Sequence, residues 1–304
     1  MQTLTEQQNH QAVDQFAQGL EVEGRSLWAD ARRRFLRNRA AVISLAVLAF
    51  ILVLILIGPV FSSYTFDEMD WANMASGPSW ATGHYFGTDF LGRDLFVRTL
   101  EGGRISFLVG ILGASVAVVI GTLYGSVAGY VGGRTDSVMM RILEILQSFP
   151  FMFLVILLMT FFGRSLYLIF LAIGAVSWLD MARIVRGLTL SLKKKEFVEA
   201  AIVAGTPTRG IILHHLVPNV LGIVVVYASL LVPGMILFES FLSFLGLGVQ
   251  EPYTSWGALV NEGAQTMEVA LWQLAFPTAF LVITLFCFNY IGDGLRDALD
   301  PKDR

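Results

Sequence analysis

The chain is poor in cysteine, lysine and charge, and each shortage removes a class of function. Its one cysteine, Cys287, lies in an apolar run, so there is neither an intrachain disulfide framework nor a thiolate pair for zinc. Charged residues make up 15% of the 304 positions, against roughly 25% in soluble domains. With 55% hydrophobic residues and a mean hydropathy of +0.65, that makes a water-soluble enzyme, a nucleic-acid binder or a disordered regulator a poor reading. A net charge of −3 gives no strong field toward one kind of partner. The lysines are few enough to check singly for a phosphate-binding loop, which needs Gly-Lys-Ser/Thr. Lys193, Lys194, Lys195 and Lys302 are followed by Lys, Lys, Glu and Asp, so none fits. HExxH and GxSxG are absent. The adjacent His214 and His215 diverge by about 100° on a helix and do not chelate one ion together. No cofactor or metal site is read from the sequence.

What is present is a set of long apolar blocks. About 20 apolar residues cross a ~30 Å hydrocarbon core. Residues 40–61, 105–133, 145–163, 210–238 and 269–292 meet that pattern and 165–179 supply most of a further span, with only Gly163 and Arg164 at the junction of the third and fourth. The sequence therefore predicts an all-α polytopic membrane protein with six transmembrane helices. Lys and Arg set the orientation: with the N-terminus inside, 17 of the 21 basic residues fall on the cytoplasmic side. The expectation is N-in and C-in.

The organisation read from these blocks is a cytoplasmic arm over residues 1–39, then a membrane domain over 40–304. That domain has a first outer loop at 62–104 and a long inner loop at 193–218. The polar first 23 residues show no cleavable signal pattern, and the first span is too long for a signal h-region. Within Arg25–Arg39, Leu27, Trp28, Ala31 and Phe35 share one face of a basic helix. Both a headgroup-level amphipathic helix and a plain positive-inside signal place it at the cytoplasmic surface. Tyr253, Trp256 and Trp272 are expected in an interfacial aromatic belt.

The inner loop carries the most specific pattern. A helix is predicted over Glu196–Ala204, stopped by Gly205 in the left-handed conformation. A second short helix should follow over Thr208–Leu216, with Pro218 starting the next. Glu199-Ala200-Ala201, then Gly205 after three residues, then Pro218, resembles the EAA loop of ABC importer permeases. His215 and Val217 stand where that pattern has Ile and Leu. Phe86–Asp94 resembles the GTDxxGRD stretch of the dipeptide and oligopeptide permeases of that family. Ser148-Phe149-Pro150, Glu239–Gly248 and Asp293–Pro301 are similar to the same group. The likeness is greatest to its C-type oligopeptide subunits, with the dipeptide counterpart as nearest rival.

The resemblance implies a type I ABC importer permease in the bacterial cytoplasmic membrane, which is not itself an enzyme. It would form a pore with a second homologous permease subunit. Two ATP-binding subunits would dock on the cytoplasmic face, and an extracytoplasmic binding protein would deliver peptide; nucleic acid is no partner. Glu199, Ala200, Ala201, Gly205 and Pro218 would then form the ATPase-coupling element. Glu239, deep in the fifth span, has two readings: lining the translocation path, or bonding a neighbouring helix. Asp89, Arg93 and Asp94 are expected to form a side-chain-braced turn that also touches the binding protein. Arg141 and Glu144 should pair over one turn, and Pro150 should kink the third span. Asp180, Arg183 and Arg186 should form an interfacial cluster near the coupling element. A secondary transporter would show internal repeats, and none is evident.

Overall fold

The computed structural model describes residues 27–163 and 166–299. Its regular structure is helical, apart from one isolated bridge between Thr88 and Asp94. The principal helices are α1 (Leu27–Arg37), α2 (Arg39–Ile57), α3 (Leu95–Val131), α4 (Gly133–Ser148), α5 (Phe151–Phe162), α6 (Leu166–Leu192), α7 (Glu196–Val203), α8 (Thr208–Phe244), α9 (Trp256–Thr266) and α10 (Leu271–Leu299).

Among the described residues, four helices are long and apolar enough to cross a membrane: α2 with its 3-10 extension to Phe61, α3, α8 and α10. The pair α4 and α5 adds a fifth if taken as one broken span, bent by 76°. Here the structure corrects an expectation. Residues 145–163 are not one kinked helix but two pieces divided at Phe149-Pro150. Proline pushes the residue before it out of the helical region, and Phe149 is extended at φ −75° and ψ 129°. Arg164 and Ser165, where a tight turn was expected, lie outside the described residues.

α3 begins ten residues before its apolar run, because the Asp94 carboxylate accepts the Val97 N–H at 2.8 Å and caps the first turn. Arg98 and Arg104 therefore stand on a helix rather than in a loop. α3 is the central rod. Gly121, Gly125 and Gly129 form one stripe along it and lie against α6; a Cβ at Gly125 would collide with the Ala182 carbonyl oxygen. Small residues let membrane helices approach to backbone contact, which drives their association where lipid is as apolar as leucine. On its other side, α3 meets α8 at Gly110 against Ile236. α2, α8 and α10 complete the core through Leu48, Ile51, Ile55, Val232, Ile236, Leu281 and Ile291. In α1, Ala31 and Phe35 turn inward toward α10, while Trp28 and Leu36 are exposed.

Candidate functional site

The EAA residues lie on α7 and the turn after it. Glu196 and Glu199 occupy the first turn, where carboxylates suit the positive end of the helix dipole. Gly205 ends the helix with φ +77°, as its residue type suggests. Its N–H donates to Ile202 O, and the Thr206 N–H donates to Ala201 O, each at 3.0 Å. That pair of bonds is a Schellman cap. A Cβ built on Gly205 meets nothing within 4 Å, so a side chain there would project away from the chain.

α7 has two distinct faces. Val198 and Ala201 are buried in a cluster with Ile211, Ile212 and Leu216 of α8, against Val127 and Tyr130 of α3 and Leu192 of α6. Glu199, Ala200, Ile202 and Val203 face outward, and Val203 is 89% exposed. The short helix thus touches three long ones and leaves an apolar surface uncovered.

The segment after the turn differs from expectation. Pro218 does sit in the first turn of the α-helical stretch Val217–Phe244, but Thr208–Leu216 is not set apart from it as a separate short helix. The backbone runs without a break from Thr208 to Phe244, through a π turn over Ile211–Leu216. The Val217 N–H reaches back five residues to Ile212 O. The wider turn lets a residue without an N–H follow without ending the helix. Pro218 itself is exposed.

Polar bonds lock the surrounding helix ends. Lys193 Nζ donates to Gly129 O at 3.0 Å, near the last carbonyls of α3. Arg186 donates to both carboxylate oxygens of Asp136 at 2.5 and 2.6 Å. Gln147 donates to Asp180 at 2.9 Å and accepts from Arg183 at 2.5 Å. The expected charge cluster therefore ties α6 to α4. Arg141 and Glu144 pair at 2.9 Å.

The opposite end of the bundle is built from enclosed charge. Asp89 accepts the backbone N–H groups of Leu91 and Arg93 at 2.8 and 2.9 Å, and Arg93 Nε donates to its other oxygen at 2.6 Å. Arg93 Nη1 donates to Glu251 at 2.8 Å. Arg98 Nη2 donates to both oxygens of Glu262, at 3.1 and 3.2 Å. Burial opposes the charge on Arg93, yet the Glu251 and Asp89 carboxylates hold its guanidinium above the ordinary value. His84 lies between Asp94 at 2.8 Å and Asp70 at 3.3 Å, stacked on Tyr64. Burial pushes the Asp94 carboxyl up, against the Val97 N–H and His84 bonds that draw it down.

Asp89, Arg93 and Asp94 are thus the braced turn that the sequence predicts. They are buried, however, and the exposed side chains of the turn are those of Phe90 and Leu91. Glu239 is fully enclosed. It accepts from Ser106 of α3 at 3.0 Å and from Ser243 at 2.6 Å, and Ser255, which caps α9, donates to Ser243 at 3.1 Å. The geometry favours the inter-helix reading: Glu239 holds α8, α3 and α9 together. An open cleft of about 390 Å³ between α3 and α8 is lined by Ile111, Ser115, Val118, Ala228, Ser229 and Val232, among others, without Glu239 and without any charge.

Residues 117–304 match the family model described as binding-protein-dependent transport system inner membrane component. The chain belongs to that family. Residues 26–78 of this permease also match the N-terminal TM domain of oligopeptide transport permease C. It is 66% identical to the oligopeptide transport system permease protein OppC of Escherichia coli strain K12, over 99% of this chain and 100% of that protein. It is 64% identical to the OppC of Haemophilus influenzae, over 98% of this chain and 97% of that protein. The dipeptide transport system permease protein DppC of Bacillus subtilis is 44% identical, over 90% of this chain and 86% of its own length.

Other residues of the permease hold positions that sequence reading missed. Glu251, Glu262 and Arg98 join segments more than 150 residues apart, and no local pattern announces such pairs. Trp256 is not a belt residue: it is fully buried, with Nε1 donating to Thr99 O at 2.9 Å. Trp272 is half-buried and donates to Thr88 O at 3.2 Å. Of the three expected belt aromatics, Tyr253 is exposed.

Proposed function

We propose that the permease is one half of the pore of an ATP-driven importer that carries oligopeptides into the cytoplasm. A second homologous permease subunit forms the other half. Two ATP-binding subunits supply hydrolysis, and an extracytoplasmic binding protein delivers the peptide. The chain crosses the membrane six times with both termini inside, as a cytoplasmic arm over residues 1–39 and a transmembrane domain over 40–304. In support, most basic residues fall on the α7 side of the bundle, and the relatives named as oligopeptide permeases match nearly the whole chain.

The observation that carries the reading is the two-faced α7. A motor on another chain needs a contact that differs between two states and is mechanically joined to the spans. Of the coupling residues, Glu199, Ala200 and Gly205, with Pro218 behind them on α8, supply that contact, and Ala201 faces inward to the spans. Small side chains let the ATPase surface approach closely, and Val198 and Ala201 pass its displacement to α3, α6 and α8.

Gly205→Arg in the reconstituted importer tests it. The substitution places a long side chain where the partner would sit, so peptide uptake is expected to fall at least tenfold while the ATPase subunits still hydrolyse ATP. Normal uptake by Gly205→Arg would overturn the coupling role.

A further inference from the structure

Among the described residues, the end of the bundle opposite α7 carries an excess of exposed negative charge. Asp67, Glu68, Glu251 and Glu268 are exposed there, and the Glu262 side chain is 40% exposed. Arg93 and Arg98 are enclosed. Arg104 does reach solvent, but pairs with Glu101 at 2.6 Å. No lysine occurs before residue 193.

Two contacts join part of this excess into one patch. Phe66 stacks on Tyr253 with ring centres 6.1 Å apart, which brings Asp67 and Glu68 beside the Glu251 loop. Arg93 holds Glu251 at 2.8 Å and lies 3.8 Å from Glu262. Beside these carboxylates opens a cavity of about 240 Å³, whose walls include Arg93, Phe90, Leu91 and Gln265. Tyr253, Phe90 and Leu91 are exposed. A small apolar centre within a polar rim is the anatomy of a protein–protein contact, and here, with Arg93 enclosed, the exposed charges of the rim are all negative. Lipid phosphates are repelled by such a rim, which selects against the bilayer as its occupant.

We infer that this patch docks a cationic surface of the delivery protein, with lysine or arginine side chains pairing with the exposed carboxylates of Glu251, Asp67 and Glu68 at the cavity rim. The inference rests on the importer reading above, and it adds the chemistry of the partner's surface. A one-signed face also raises the rate of encounter, in a way that salt suppresses.

The test uses the intact importer in nanodiscs, titrated with its delivery protein while ATP hydrolysis is followed. Glu251→Gln keeps an acceptor for Arg93 and removes the charge. Paired with Asp67→Asn, it is expected to raise the half-saturating concentration of delivery protein about three- to fivefold at low ionic strength. The difference should shrink in ~0.5 M salt. Glu268→Gln, outside the patch, should leave the titration near wild type. Carbodiimide coupling of carboxylate to lysine should link the patch to the delivery protein. An unchanged half-saturation in a variant that melts like wild type overturns the proposal. So does an equal effect from Glu268→Gln, which means a diffuse field, or coupling to the second permease subunit instead. A wild-type complex that ignores the delivery protein altogether would instead overturn the importer reading itself.

Discussion

The two ends of the bundle are stabilised by opposite means. Far from α7, Asp89, Arg93 and Arg98 are enclosed, and the solvent-reaching Glu251 and Glu262 close them into one connected network. At α7, the helix itself is held by a glycine turn and apolar contacts, the polar bonds lying on the ends of α3, α4 and α6 around it, and its outward face is left uncovered. A buried ionic network is rigid, because removing one member leaves the others desolvated and unpaired. A short helix on small contacts is displaced at little cost. The difference teaches that one end is organised to hold its form and the other to respond.

That contrast can be broken by mutation, and the stability effects should decline in a set order. Arg93→Ala strands Asp89 in a buried position and should cost about 3–5 kcal/mol, seen as a large drop in the thermal midpoint of the detergent-purified permease. Asp94→Ala removes both the cap of α3 and the partner of His84, and about 2 kcal/mol is expected in the same assay. Gly205→Ala forces a Cβ into the left-handed region for about 1–2 kcal/mol. Val203→Ser alters an exposed side chain and should stay within about 0.5 kcal/mol. Yet co-purification of the ATPase subunits should fall most with Val203→Ser and Gly205→Ala, and least with Asp94→Ala. If stability and ATPase retention instead fell in parallel across the series, the two ends would not be specialised.

The sequence made parts of this legible, for identifiable reasons. Spans are visible because hydropathy is a local sum. The turn at Gly205 is visible because a φ of +77° selects glycine almost by itself. The hydrogen-bonded turn at Asp89, Arg93 and Asp94 is visible because its members are neighbours. Trp256 misleads because a tryptophan near a span end has two homes, belt or core, and its N–H partner lies 157 positions away. The Glu251 and Glu262 pairings are hidden for the same reason. The π turn before Pro218 is hidden because its hydrogen bonding depends on how Ile211, Ile212 and Leu216 pack against α7, which no propensity records. The burial of Asp89, Arg93 and Asp94 is hidden because charge alone suggests solvent.

The unbroken course of α8 has a mechanical consequence. Its 37 residues span about 55 Å at 1.5 Å per residue, well beyond the ~30 Å hydrocarbon core. One end meets α7 at Ile211, Ile212 and Leu216, and the other holds Glu239 in its serine cage. It is a lever arm with two compliant joints, the π turn close to its α7 end and Pro233 about two thirds of the way along. A displacement of about an ångström at the α7 end of this rod would arrive at the seat of α9 as a tilt.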